Sequence, residues 1–471
     1  MAEPPGGSMS TSYDVRVYAT DIYQGKRTTT YWVQWSVSRQ RFKKPFKTEA
    51  LADSFRSTLV STSRKGEAFD LKSGLPLTLL RKETKHISWF QHACNLVDAK
   101  WDESSPGQRR TVADTLVPIT LALTVPRKDR PSDEVLRKAM RRAFSPNRRD
   151  TGHPPDIADA LIWLVANTRP VSDLEEPSVL REVLTKIERK MDGHRAAPNT
   201  IRLRRVTLGV ALDYACVEEK ILTTNPLKNG AVKKRKQAVR QVDRRSVINA
   251  VQFRTILAEV RKIGRTGRKL VAFFAVMFFA GLRPEEVTAL RRADLVLPPR
   301  VWDEDAQKWR VTETGDINVA VATPEVGGAW TDSGRPNEER GLKHRAEDEF
   351  RRAPMAPELA LILYEHVDEF GILLDGLLFV AERGGRIGSS TYCRVWSQAR
   401  EVAFTPEVAA SALAKRPYDL RHACVSFWLI LGVEAARVAA WAGHSLAVLM
   451  RVYAAYIDAG EGRARQLIAS M

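Results

Sequence analysis

A chain of 471 residues is longer than one ordinary core supports and predicts two or three domains. Its 74 Lys and Arg against 56 Asp and Glu leave a formal charge of +18, which points to a polyanionic partner, nucleic acid foremost. Four scattered cysteines (Cys94, Cys216, Cys393, Cys424) with no CxxC pair argue against a disulfide framework or a zinc site.

The opening MAEPPGGSMSTS is polar, has no apolar stretch behind it and reads as a disordered tail over 1–12 rather than a secretory signal. A small α+β domain is expected over 13–80. YDVRVYATDIYQ and YWVQWSV read as strands; in the second, Tyr31, Val33, Trp35 and Val37 alternate with Trp32, Gln34 and Ser36, the period of a sheet with one buried face. RQRFKKPFKT adds a third strand, and TEALADSFRSTLV a helix with Thr48 as its N-cap. Lys26, Arg27, Arg39, Arg41, Lys43, Lys44 and Lys47 make this domain basic, either to follow DNA phosphates or as a solvated face.

From 88 to 228 the periodicity is helical, in ISWFQHACNLVDAKW, RRTVADTLVPITLALT, DEVLRKAMRRAF, DIADALIWLVAN, PSVLREVLTKIERKM and TIRLRRVTLGVALDYACVEEKI, separated by Pro/Gly clusters. A basic linker follows over 229–245, with Lys233, Lys234, Arg235, Lys236 and Arg240 ahead of Arg244 and Arg245 and only Asp243 in opposition; it is a solvated connection or a crossing of a phosphate backbone. The third domain, 246–471, is mixed α/β. It opens with helices in VINAVQFRTILAEVRK and KLVAFFAVMFFAG, breaks into short strands over 309–357 (WRVTE, INVAVAT, RRAPMAP) and returns to helices after Pro357. Its most apolar run, Leu270 to Leu282, is too short to span a bilayer, and with no lipidation signal the chain reads as a cytoplasmic protein without a membrane partner.

Five features of this third domain carry chemistry. In AGLRPEEVTALRRADL, Arg283 follows a turn at Gly281, with Glu286 on the same side of the helix it opens. Lys343 sits near the tip of a strand connection in RGLKHRAEDEFRRAPMAP. In RPYDLRHACVSFWLILG, Tyr418 and Arg421 can face one site, above an apolar stripe of Leu420, Cys424, Phe427 and Leu431, while His422 should point elsewhere on the helix. In AARVAAWAGHS, Gly443 stops a helix and leaves His444 on a turn. In LAVLMRVYAAYI, Leu449, Tyr453 and Tyr456 can share a helix face. Singly, each has a plain structural explanation: a surface arginine or lysine, a capping histidine, a boundary tyrosine.

Together they resemble the tyrosine recombinase (phage integrase) family: an arginine in G-L-R-x-x-E, a hairpin lysine, H-x-x-R, a histidine or tryptophan, and a tyrosine nucleophile, in that order. The matching positions are Arg283 with Glu286, Lys343, Tyr418 with Arg421, His444 and Tyr453, over roughly 200–471, and the wording is most similar to integrases of actinobacterial mobile elements. The resemblance implies an N-terminal arm-type DNA-binding domain, a helical core-binding domain and a catalytic domain. It also implies a cofactor- and metal-independent enzyme that cuts and rejoins DNA through a 3′-phosphotyrosyl link. Tyr453 would be the nucleophile, Arg283, Arg421 and His444 the phosphate ligands, Lys343 the general acid and Glu286 an orienting group. The implied partners are duplex attachment sites, three further protomers in a tetramer on two duplexes, and an excision factor or host DNA-bending protein. The departure is Tyr418 in place of the family histidine; a phenol can donate a hydrogen bond but is a poor base. Two other readings remain: a dimer resolvase or transposon recombinase of the same fold, and a non-catalytic DNA-binding relative. Tyr456, one helical turn past Tyr453, is the rival nucleophile.

Overall fold

The computed structural model describes residues 11–24, 29–79, 87–190, 192–228, 241–342, 349–372, 375–457, 465 and 468–470. The protein is mainly helical, with small sheets, and divides into two compact units, Met1–Arg235 and Lys236–Met471.

The first unit begins with strands β1 (Thr11–Ser12), β2 (Val15–Val17), β3 (Asp21–Gln24), β4 (Thr29–Val37) and β5 (Gln40–Phe46), then helix α1 (Glu49–Arg64) and β6 (Phe69–Asp70). β4 is the spine: β5 pairs along one edge, while β2 and β3 pair end to end along the other. The period of two buries Val33, Trp35 and Val37 against Ala52 and Leu59 of α1. Thr48 caps α1, its hydroxyl accepting from the Leu51 N–H at 3.4 Å. Ser38 and Arg39 both take positive φ (49° and 70°) between the facing pair Val37 and Gln40, the two-residue turn whose twist matches the strands it joins. Two expectations are corrected here. Thr11 and Ser12 belong to the fold rather than to a tail, because they pair with Asp70 and Phe69. YDVRVYATDIYQ is two strands, since Tyr18–Thr20 steps from one end of β4 to the other.

Six longer helices follow: α2 (Trp89–Lys100), α3 (Pro106–Ala122), α4 (Asp133–Ala143), α5 (Pro155–Asn167), α6 (Pro177–Ile187) and α7 (Pro198–Val217). Serines cap α2 and α4, and prolines open α3, α5, α6 and α7, where the missing N–H costs nothing. Their core includes Trp89, Leu116, Leu136, Leu164 and Leu208. Polar ties cross it: Thr115 and Thr207 share a hydrogen bond of 2.8 Å between α3 and α7, and His92 is held between Glu219 and the Ala211 carbonyl.

The second unit opens with the single 3-10 turn α8 (Arg244–Ser246) and is organised around α9 (Ala250–Lys262) and α10 (Gly264–Phe279). Asn249 and Gln252 form a reciprocal capping box at the start of α9. Leu270 to Phe278 of α10 are buried on every side, so this apolar run is a core helix. Among the described residues no helix is long and apolar enough to cross a membrane. After the single turn α11 (Pro284–Val287) come β7 (Leu295–Val296), β8 (Val301–Asp303), β9 (Lys308–Arg310), β10 (Gly315–Val319), β11 (Val321–Ala322), β12 (Arg340–Gly341) and β13 (Arg351–Met355). β13, β10 and β7 form an antiparallel sheet in that order, β11 pairs β12, and β8 pairs β9. The helices α12 (Pro357–Phe370), α13 (Ser389–Ala403), α14 (Pro406–Ala410), α15 (Tyr418–Ile430), α16 (Ala435–Ala442) and α17 (Leu446–Ile457) complete the unit. The expected stripe on α15 is one residue too long. Leu420 and Cys424 are buried, but the helix ends at Ile430 and the turn at Gly432 leaves Leu431 66% exposed.

The end of the expected linker is part of this second unit. The Val242 N–H donates to the Val452 carbonyl on α17 at 3.0 Å, Asp243 caps the turn Arg244–Ser246, and the Arg244 guanidinium lies over the Tyr456 ring. Lys233, Lys234, Arg235, Lys236 and Arg240 lie outside the described residues.

Candidate functional site

Two chain reversals bring the site together. α10 ends at Phe279, and Gly281 takes φ 65°, where an added Cβ would meet the Cys424 sulfur at 3.2 Å. That turn points the chain into Arg283, and Pro284 opens α11. On α11 the Glu286 carboxylate reaches back to the Arg283 N–H at 2.7 Å and also accepts from Arg283 Nη1 at 2.7 Å. The second reversal is Gly443, left-handed at φ 62°, which closes α16 and presents its carbonyl to Arg283 Nη2 at 3.0 Å.

Glu286 is buried among three guanidiniums. Besides Arg283, it accepts from Arg351 of β13, and Arg421 Nη1 lies 4.0 Å from it. Burial alone would raise its carboxyl; Arg351, Arg421 and Arg283 outweigh that and hold it at about 2. Burial pulls Arg351 below the ordinary guanidinium range while Glu286 opposes the shift; an arginine stays charged at neutral pH in either case. Arg351 Nη1 donates to the Trp441 carbonyl at 2.7 Å, tying β13 to α16.

Arg421, in the first turn of α15, has no exposed surface. It donates to the carbonyls of Gly281 and Ala442 and, through Nη2, to His444 Nε2 at 2.9 Å. A guanidinium can only donate, so His444 Nε2 is the acceptor and the ring proton sits on Nδ1. Burial and the three arginines lower His444 to about 3, keeping it neutral. Its Nδ1, Arg351 Nε and Arg421 Nε have no protein partner among the described residues.

Arg283, Arg340, Arg351, His444 and Ser445 line a cavity of about 310 Å³. A second cavity of about 500 Å³ has Tyr418, Lys415, Arg416, Tyr392 and Glu325 in its wall, and Glu285 lines both. Tyr418 lines this second cavity and not the first, while staying close enough to Arg283 to act on its charge. Arg421 lies behind the first cavity's wall, so the expected pair of arginines facing one point becomes Arg283 in front and Arg421 behind.

Tyr453 is 1% exposed and sits where α17 breaks, at φ −115° and ψ 17°. Its ring is 6.0 Å from that of His444, and its hydroxyl is 2.8 Å from His422 Nδ1. Burial raises the phenol well above its usual range. The expectation that His422 points elsewhere is overturned. α15 packs against α10 on one side and α16 and α17 on the other, so the successive residues Arg421 and His422 both have partners, His444 and Tyr453. Tyr418 stacks edge-on against His422 at 5.2 Å. Tyr456 is buried in the apolar cluster with Val425 and Leu449, facing Arg244.

No protein-family model matches the sequence, and no curated protein matches it. Solved structures do. The chain is similar to the Tn1549 transposon integrase in complex with transposon right end DNA, at 15% identity and a TM-score of 0.45, covering 70% of this chain and 99% of that one. It is similar to a lambda integrase dimer bound to a core site at 13% identity and a TM-score of 0.44, covering 93% and 94%. It is also similar to the XerH site-specific recombinase bound to difH, at 13% identity and a TM-score of 0.40, covering 72% and 90%.

Of the residues singled out from sequence, Arg283, Glu286, Arg421, His444 and Tyr453 gather here. Lys343 lies outside the described residues, as do Lys26 and Arg27; Gly341 and Leu342, just ahead of Lys343, line the cavity. Arg41 and Lys43 are exposed on the sheet face turned away from α1, beside Arg16, with Lys43 over the Trp32 ring at 5.0 Å. Arg39 is in the β4–β5 turn. Lys44 takes the opposite parity and packs over Phe55 of α1. Sequence reasoning missed Arg351. Its signal was parity: Arg351, Ala353 and Met355 alternate as the buried face of β13, and an arginine in such a register needs a buried acid. Among the described residues no group of three or more His, Cys, Asp or Glu is placed to hold a metal ion.

Proposed function

We propose that this chain is a tyrosine-type site-specific DNA recombinase, an integrase that cuts and rejoins DNA through a 3′-phosphotyrosyl link to integrate or excise a mobile element in the cytoplasm. The observation that carries the reading is the gathering of Arg283 and Arg421 on one buried acid, Glu286, with His444 bonded to Arg421 and a buried tyrosine ring beside His444.

A phosphodiester repels nucleophiles, and attack on phosphorus loads more charge onto its non-bridging oxygens. Arg283 and the His444 Nδ1–H are donors for those oxygens, and Arg421 adds its charge from behind while fixing the His444 tautomer. Tyr453 is the nucleophile, and because the bond energy is kept in the phosphotyrosine, rejoining needs no ATP. Lys343 supplies the proton to the leaving 5′-oxygen. Glu286 orients the arginines. The domains follow the sequence layout: an arm-type unit over 13–80 that uses Arg39, Arg41 and Lys43, a core-binding unit over 88–228, and the catalytic domain from 246. Partners are duplex attachment sites, three further protomers, and an excision factor or host bending protein.

Covalent capture on a nicked suicide duplex tests this directly. The wild type should form an adduct that survives denaturation, Tyr456→Phe should retain it, and Tyr453→Phe should abolish it. Specific binding with no adduct from any version would support a non-catalytic DNA-binding protein instead, the reading that Tyr418 favours.

A further inference from the structure

From the contact between the His422 imidazole and the Tyr453 hydroxyl, we propose that His422 is the catalytic proton acceptor for the nucleophile. The inference rests on the reading of Tyr453 as nucleophile and adds the group that takes its proton. At neutral pH a phenol must lose its proton as it attacks, and among the described residues the neighbour in hydrogen-bonding contact with Tyr453 Oη is His422 Nδ1, 2.8 Å away. The two rings are 5.8 Å apart and tilted by 51°, so the imidazole meets the hydroxyl in a hydrogen bond rather than stacking on the phenol. The contact lies inside the molecule, where water cannot readily substitute, because Tyr453 is 1% exposed. His444, the other histidine near the phenol, is unsuitable: its Nε2 already accepts from Arg421 and its Nδ1 carries a proton. Tyr418, at the family's histidine position, does not reach this role; it supports the His422 ring from its edge.

The step balances. Oη bonds to phosphorus as the P–O5′ bond breaks, the phenolic proton passes to Nδ1, and the 5′-oxygen takes a proton from Lys343. On rejoining, a 5′-hydroxyl attacks and gives its proton back to Lys343, and His422 returns the proton to the departing Tyr453. The charged and titratable groups around His422 are Tyr418, Asp419, Arg416 and Arg421 from its own segment and Tyr453 and His444 from across the site. Burial first, then Asp419 opposed by Arg421 and Arg416, leave the free imidazole at about 4 and so unprotonated at neutral pH. A phosphate anion in the adjoining cavity raises its basicity as the substrate binds.

The test is the single-turnover rate of adduct formation on the suicide duplex, with the wild type, Tyr453→Phe, His422→Ala and His422→Asn. Asparagine keeps a hydrogen-bond acceptor near the Nδ1 position but cannot take the proton. If the proposal holds, both His422 variants melt near the wild type yet form adduct about a hundredfold more slowly. Added imidazole then restores part of the His422→Ala rate, increasingly as pH rises through the imidazole pKa. Rates within about twofold of wild type in His422→Asn overturn it, as does a slow His422→Ala that imidazole does not rescue. Should His422→Ala fail to fold, the His422→Asn rate decides. If the wild type itself forms no adduct, the recombinase reading falls and takes this proposal with it; a wild-type adduct with an unimpaired His422→Asn removes only the proposal.

Discussion

Removing the Arg351 guanidinium would leave the Glu286 carboxylate buried with fewer partners, and a broken buried pair costs far more than an intact one contributes. Arg351→Met is therefore expected to destabilise the protein by about 3 kcal/mol, seen as a lower melting temperature. The double change Arg351→Met with Glu286→Gln should recover part of the loss. Acid should act on the same residues. The folded state holds His444 at about 3 and His422 at about 4, so the unfolded chain binds protons first as pH drops below the ordinary histidine range. Glu286, held at about 2, adds its own loss below the ordinary carboxylate range. Both signs agree: stability is full above about pH 6.5, declines through the histidines down to about pH 3, and Glu286 adds to the loss below the ordinary carboxylate range. Melting temperatures across that span check it, and a Glu286→Gln variant should lose less at the acid end. In the proposed reaction the same cluster has a definite charge balance. Three guanidiniums against one carboxylate leave two positive charges, more than one phosphodiester neutralises and about what its doubly charged transition state requires.

At the level of elements, the turns matter more than the helices they join. Gly443 is left-handed, and a Cβ there would come within 3.0 Å of Arg351 Nε. Gly443→Ala should cost about 1 kcal/mol from the backbone alone. Because that turn carries His444 and offers its carbonyl to Arg283, adduct formation should fall by more than the change in melting temperature accounts for. These turns were legible in sequence, since Gly281 and Gly443 each follow an apolar run and precede a polar functional residue. Arg283, Glu286, Arg421, His444 and Tyr453 were legible for the same reason: each sits in a local motif whose order along the chain carries information. What could not be read was pairing between distant segments. Arg351 meets Glu286 through the position of β13, and His422 meets Tyr453 because α15 is enclosed on two sides. A helical-wheel argument with one buried face assigns His422 to solvent. The β4 alternation shows the opposite case: Val33, Trp35 and Val37 turned inward as their spacing predicts, and with them went Lys44, whose place beside Val33 depends on pairing with β5.

For the whole molecule, a charge of +18 means that binding to a polyanion should be governed by counterion release. The logarithm of affinity for duplex DNA is expected to fall linearly with the logarithm of salt concentration. Arg41→Ala and Lys43→Ala should each reduce that slope by about one phosphate contact if the open sheet face meets the backbone. Lys44→Ala should leave it unchanged and lower stability instead, because its ammonium is packed over Phe55. The hydrogen bond from Val242 to the Val452 carbonyl has a consequence of another kind. It fastens the chain arriving from the first unit to the residue directly before Tyr453, at the point where α17 is already bent. Any change at Val242 that removes this N–H is thus felt directly at the Tyr453 backbone.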